Sequence, residues 1–212
     1  MNKTKIALAA VLAMSAAGAQ AGPFYVDAHL GQATADLPSI TGWSLDKDDT
    51  TYSLNLGYKL NDTLAVEGGY TKLGEASYSS TTAVSGSATV SGTTATATNA
   101  TFNLAAKADG FTLGLAGDFP ISNAIDLSAR AGVFFWDAKA TGTLTAGTLV
   151  VNGTTYNTGS SLSAKDDGSD LYWGLGASYK FSKDMRAGIN FTRYDISGTD
   201  IDTWTANLRY NF

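Results

Sequence analysis

The chain holds no cysteine, one histidine and three prolines in 212 residues, and it has no long uninterrupted apolar run. Without cysteine no disulfide can staple the fold and no thiol chemistry is available. A helix needs about 20 consecutive apolar residues to cross a bilayer. The longest candidate, Ile6–Met14, falls well short. Basic charge is also scarce, with 14 Lys and Arg against 19 Asp and Glu and a net charge of −5. An acidic, aromatic-rich chain of this kind argues against nucleic acid as a partner. Gly, Ser, Thr and Ala are abundant, and overall hydropathy is low. That composition suits a soluble protein, and equally a membrane barrel whose lipid-facing and lumen-facing residues average out along each strand.

The first residues read as a targeting segment. Lys3 and Lys5 form a basic start, Ile6–Met14 a short apolar run, and Ala19-Gln20-Ala21 an A-x-A cleavage site. Residues 1–21 are therefore read as a signal peptide and residues 22–212 as one domain. Removing the two lysines takes the net charge from −5 to −7.

Alternation is the dominant pattern in what remains. In the last nine residues Trp204, Ala206, Leu208, Tyr210 and Phe212 alternate with Thr205, Asn207, Arg209 and Asn211. A period of two puts these sets on opposite faces of a strand. A soluble sheet would need a helix or a second sheet over the apolar face, and the chain offers only more strands of the same kind. Seven other segments alternate likewise: 24–31, 52–60, 64–71, 111–119, 125–136, 171–181 and 185–192. The expected fold is all-β, an eight-stranded antiparallel transmembrane β-barrel with lipid as the cover.

Connection lengths give a second signal. Asn61-Asp62, Pro120–Asn123 and Ser182–Asp184 read as three short periplasmic turns. Segments 34–49, 74–109, 137–169 and 195–200 read as four long outer loops, with parts of 77–101 and 140–163 alternating enough to extend hairpins above the membrane. Aromatics gather at strand ends. Tyr70, Phe135 or Trp136, Trp173 and Trp204 lie toward the loops, and Tyr58, Phe119, Phe181, Tyr210 and Phe212 toward the turns. Two such levels fit girdles at the bilayer interfaces.

An eight-stranded barrel has an interior just wide enough for its own side chains. The inward set includes Asp27, His29, Lys59, Glu67, Asp118, Arg130, Arg186 and Arg209. Confined charges must pair or meet trapped water, and Glu67 with Arg130, both mid-strand, form the expected pair. That pair reads either as a plug or as the gate of a narrow pore passing ions or small solutes. A lipid-modifying enzyme would need a histidine beside a hydroxyl or carboxylate. His29 points inward and no serine motif accompanies it, so no catalytic residue is assigned. Asp36, Asp46, Asp48 and Asp49, and again Asp166, Asp167 and Asp170, make two outer segments acidic, but without the spacing of a calcium loop. No metal or cofactor is assigned, and Gly74, Gly110 and Gly132 belong to no phosphate-binding loop.

Four stretches carry a family resemblance: Phe24-Tyr25-Val26-Asp27-Ala28-His29-Leu30-Gly31, Ala65-Val66-Glu67-Gly68-Gly69-Tyr70, Arg130-Ala131-Gly132-Val133-Phe134-Phe135-Trp136-Asp137 and Tyr172-Trp173-Gly174-Leu175-Gly176-Ala177. With them the chain resembles the membrane domain of the OmpA family and its small OmpX-type relatives. The resemblance implies a closed barrel in the outer membrane of a Gram-negative bacterium, embedded in outer-membrane lipids. It also implies that Trp204, Leu208, Tyr210 and Phe212 are read by the barrel-assembly machinery. Many such proteins continue into a peptidoglycan-binding domain. None is expected here, because the sequence stops at the eighth strand. Any extracellular ligand would then meet the long loops.

Overall fold

In the computed structural model, residues 22–90 and 92–212 are described. The signal-peptide reading of residues 1–21 lies outside them. The described residues form eleven strands: β1 (Phe24–Ala35), β2 (Trp43–Asp46), β3 (Asp48–Lys59), β4 (Leu64–Ser80), β5 (Val84–Val90), β6 (Thr93–Pro120), β7 (Ile125–Val151), β8 (Thr154–Asn157), β9 (Ser161–Lys180), β10 (Met185–Ile196) and β11 (Thr199–Asn211). Eight of them close a ring in which every neighbour is antiparallel: β1, β3, β4, β6, β7, β9, β10 and β11, with β11 returning to β1. Closure pairs both edges of each ring strand within the barrel, which a membrane demands because lipid offers no hydrogen bonds. Strands β2, β5 and β8 pair onto the upper parts of β4, β6 and β7 and stay out of the ring.

The three short turns share one device. Asn61 Oδ1 accepts from the Thr63 and Leu64 amides at 2.9 and 2.8 Å. The Ser122 hydroxyl accepts from Ala124 and Ile125 at 3.3 and 3.0 Å, and Ser182 from Asp184 and Met185 at the same distances. Each side chain caps the amides that the turn would otherwise leave open.

The outer connections are shorter than the expected loops. Most of 74–109 and 137–169 is strand, because β4, β6, β7 and β9 run on above the barrel. The fourth expected loop is a two-residue turn at Ser197-Gly198, where φ is +52° and +84°. Asn152-Gly153 (φ +46° and +83°) joins β7 to β8 in the same way. Both dipeptides suit a turn with positive φ at both central residues, which matches the twist of a hairpin. The sequence obscures these extensions because Ala, Thr and Ser alternate there with little hydrophobic contrast.

The outer face shows where the membrane lies. From Phe111 to Phe119 on β6 and from Ile125 to Phe135 on β7, each outward side chain except Gly117 is apolar. These stretches match the roughly 9–11 residues of a tilted membrane strand. Large apolar side chains are exposed all round this belt, among them Leu30 at 61%, Leu113 at 55% and Leu175 at 57%. Such exposure is intelligible only if lipid is the solvent. Phe135 faces outward at the upper edge, whereas Trp136 turns into the lumen.

Above the belt the outer face becomes charged. Asp109, Asp137 and Asp167 stand in register across β6, β7 and β9, and one pleat higher so do Lys107, Lys139 and Lys165. Like charges directly opposed are unfavourable. Stacking a basic row over an acidic one gives each charge an opposite partner two residues along its own strand. On the far side Arg193 pairs with Asp202 at 2.6 Å and Asp200 at 3.2 Å, just above Trp204.

Candidate functional site

The lumen of the membrane-spanning ring is filled by two stacked groups of side chains. The lower group is polar. Asp27 is fully buried and accepts from Arg209 Nε at 2.9 Å, Arg209 Nη2 at 2.7 Å and Asn207 Nδ2 at 2.7 Å. Glu67 accepts from Arg130 Nη1 at 3.2 Å and from the Tyr25 hydroxyl at 3.0 Å. Arg209 also donates to Asp118 at 3.0 Å and lies over the Tyr25 ring, 4.0 Å from its centre. Arg186 bonds Asp118 and Asp126, and Lys180 Nζ lies 2.7 Å from Asp126. Asn190 links Arg130 to Asn207.

Small residues make these meetings possible. Glu67 on β4 and Arg130 on β7 are separated by β6, where their cross-strand neighbours are Gly114 and Ala116. The Tyr25 ring occupies the space where a Cβ on Gly57 would stand. A bulky residue at either glycine would push the network apart.

Of the eight residues read as facing inward, seven share this network: Asp27, His29, Glu67, Asp118, Arg130, Arg186 and Arg209. Lys59 stands instead at the periplasmic mouth, lining a cavity of about 160 Å³ with Asp62, Asp118 and Lys180. Tyr25, Asp126, Asn190 and Asn207 were not singled out from the sequence. Their inward parity was legible, but Tyr25, Asn190 and Asn207 are neutral and give no sign that they bond a charge, and the partners of Asp126 lie on other strands. His29 lies between Asp27 (Nε2 to Oδ2, 3.3 Å) and the Thr205 hydroxyl (Nδ1 to Oγ1, 3.3 Å), with Arg130 Nη1 at 3.4 Å from Nε2.

The upper group is apolar and aromatic. Phe134 is fully buried, and Leu73, Ala108, Trp136, Tyr172 and Tyr194 pack with it. Phe134 and Tyr194 meet edge to face at 5.1 Å, and Tyr172 stacks on Tyr194 at 5.6 Å. Trp136 Nε1 donates to Asp170 at 2.7 Å, and Asp170 also accepts from the Ser197 amide at 3.0 Å, which ties the plug to the β10–β11 turn. The Trp136 ring lies against Gly168, where a Cβ would collide with it.

The terminal set faces lipid. Trp204, Leu208 and Tyr210 are 62%, 47% and 43% exposed. Phe212 packs edge to face on Tyr210 at 5.1 Å, and its amide donates to the Phe24 carbonyl at 3.0 Å, close to the ring's seam. The acidic outer residues are spread among separate tasks. Asp48 accepts from Thr34, Asp49 from the Glu75 amide, and Asp170 from Trp136. No group of three or more acidic or imidazole ligands able to hold a metal ion occurs among the described residues.

A closed antiparallel ring, apolar outside between two aromatic levels and charged within, defines an integral outer-membrane β-barrel. The chain belongs to the outer membrane protein beta-barrel domain family, whose model matches residues 5–212. It is accordingly a protein of the Gram-negative outer membrane, bounded by lipid. No curated protein matches the chain. Similar solved structures are small barrels. Ail, the attachment invasion locus protein of Yersinia pestis, is 14% identical with a TM-score of 0.48, covering 89% of this chain and 99% of Ail. Neisserial surface protein A is 16% identical with a TM-score of 0.47, covering 92% and 100%. OprG of Pseudomonas aeruginosa is 16% identical with a TM-score of 0.45, covering 92% and 98%.

Proposed function

We propose that the protein is a non-catalytic, sealed barrel that holds its outer hairpins at the cell surface for recognition or adhesion. The observation that carries this reading is the double filling of the lumen, a charge network below and an aromatic plug above. A filled barrel is a rigid scaffold, and recognition on such scaffolds lives in the connections. An extracellular ligand would meet the strands and turns that rise above the charged rows. In the same reading residues 1–21 are removed on export, and Trp204, Leu208, Tyr210 and Phe212 form the signal read by the assembly machinery.

Thr205, His29 and Asp27 form a hydroxyl–imidazole–carboxylate chain, the residue types of a hydrolase. All three are buried, and they line neither the periplasmic cavity nor the three cavities above the plug. This supports the non-enzymatic reading.

A narrow pore is the second reading. Arg130 Nη2 stands 3.8 Å from Asp27, and Arg209 Nη2 3.9 Å from Glu67. The two arginines are within reach of exchanging carboxylates, which favours a gate. Planar-bilayer recording separates the readings. A sealed barrel gives no stable single-channel steps. Steps that change in a Glu67→Gln variant would establish the pore.

A further inference from the structure

The lumen-facing rows do not end at the aromatic plug. They continue upward on β4, β6, β7 and β9, and their chemistry changes a second time. Above Ala108 the inward row of β6 reads Ala106, Leu104, Phe102, and above Trp136 that of β7 reads Ala138, Ala140, Gly142, Leu144. The outward rows at the same height carry Asn103, Thr141, Thr143 and Ser163. The extension is thus apolar inside and polar outside, the inverse of the membrane-spanning ring below it. In water an apolar face is normally covered. Here Leu104 is 43% and Leu162 55% exposed toward the interior of the extension.

This inner face borders a chain of cavities. The deepest holds about 200 Å³, the next about 430 Å³ and the outermost about 210 Å³. The first two share Leu37, Ala76 and Ala106, and the last two share Leu104, Gly142 and Leu162, so they form one trough. Its scale falls within the range of small-molecule sites, roughly 300–1,000 Å³, which are also concave and mainly apolar. From Ala108 to Phe102 the strand rises about 20 Å at ~3.3 Å per residue. Leu73 and Ala108, which belong to the plug's packing, form the floor. The trough is therefore blind toward the periplasm.

Resting on the surface-recognition reading, we infer that this trough binds the alkyl chain of a single-chain aliphatic molecule arriving from outside, tail first. Three features select that occupant. The trough is long and lined mainly by Ala and Leu, with Tyr78, Phe102 and Tyr156 among them, which suits a flexible hydrocarbon. At the deep end the inward Lys47 is balanced by Asp49, while Glu75 and Lys107 border the trough from the outward row, so no net charge there selects a charged head, and a polar end stays at the open rim. A second copy of the chain fits poorly, because the outward faces it would present carry Ser, Thr and Lys. The charged rows at Asp109 and Lys107 separate the trough from the lipid belt, which distinguishes its occupant from a bound membrane lipid.

The test uses the full barrel in lipid nanodiscs and a long-chain fatty alcohol carrying a photoactivatable diazirine. After irradiation, adducts are mapped by mass spectrometry. Adducts are expected in 102–108, 138–144 and 162–164, and excess hexadecanol should suppress them. Adducts in the lipid belt serve as an internal reference for a folded barrel. In a Leu104→Asn/Leu162→Asn variant the trough adducts should fall at least tenfold while the belt adducts persist. Labelling confined to the belt, trough labelling unchanged in the variant, or cross-linked dimers through these residues would each overturn the assignment. Channel conductance would contradict the sealed-scaffold reading without moving this readout, so the two failures are distinguishable.

Discussion

Asp27 and Arg209 stand directly opposite each other across the seam where the first and last ring strands meet, joined by two hydrogen bonds of 2.9 and 2.7 Å. Both are essentially inaccessible to solvent. The pair therefore couples barrel closure to charge pairing in the lumen. Breaking a buried pair by removing one partner costs about 3–5 kcal/mol, because the remaining charge is stranded. Asp27→Asn or Arg209→Met should each destabilise the folded barrel by that order. The double variant should cost much less than the two singles together. Urea unfolding in lipid vesicles measures this, and additive losses would show that the pair is uncoupled.

The change of outer-face chemistry predicts opposite tolerances on one hairpin. Leu115 lies in the lipid belt on β6 and is 50% exposed. Leu115→Arg should cost about 2–4 kcal/mol, the penalty for a cation near the bilayer midplane. Thr143→Arg, on the outward row of the β7 extension, should leave stability nearly unchanged. Equal penalties at the two sites would mean that the membrane boundary is misplaced.

Because the chain has no cysteine, single-cysteine labels report depth cleanly. A spin label at Phe135→Cys should be accessible to lipid-soluble oxygen, and one at Lys139→Cys to a water-soluble paramagnetic reagent. Reversed accessibilities would contradict the boundary between the aromatic level and the charged rows.

The aromatic plug carries its own expectation. Trp136 is 5% exposed and bonds Asp170, and Phe134 is fully buried. Removing such a ring leaves a cavity costing about 3–5 kcal/mol. Phe134→Ala and Trp136→Ala should each show a loss of that order in thermal or urea unfolding. Trp136→Ala should also free the Asp170 carboxylate and raise amide exchange at Ser197. Unchanged exchange there would show that the turn is held by something else.

At the chain's end, deletion of Phe212 should lower the yield of membrane-inserted barrel more than Asp27→Asn does. Quantifying the protein in isolated outer membranes checks this. Normal yield of the deletion would remove Phe212 from the assembly signal.

The ring strands were legible because lipid-facing Leu, Val, Ile and aromatic residues contrast sharply with the Gly, Ser, Asn and charged residues that alternate with them. Parity followed directly, and it placed Asp27, Glu67, Arg130 and Arg209 inside. Which of them touch depends on strand register and on gaps such as Gly114, which no single strand encodes. Asp126 lay in plain view on an inward row, yet its partners Arg186 and Lys180 come from other strands. The outer extensions were hidden for a different reason. Alternation of Thr with Ala in 94–98, or of Thr with Ala and Gly in 140–143, has little hydropathy contrast between the two faces. Only the register with neighbouring strands shows that Leu104, Leu144 and Leu162 share one side. The Ser197-Gly198 turn carried the composition of a loop, and only its two positive φ values mark it as a tight hairpin.

Single-channel recording of the purified barrel in planar bilayers tests the sealed lumen most directly, with the wild type compared against Glu67→Gln and Phe134→Ala/Trp136→Ala. With both fillings intact the wild type should show no stable steps. Removing the aromatic plug alone should leave it silent, because the charge network still closes the lower lumen. Stable openings of the wild-type protein, altered by Glu67→Gln, would contradict the account and make the network a gate.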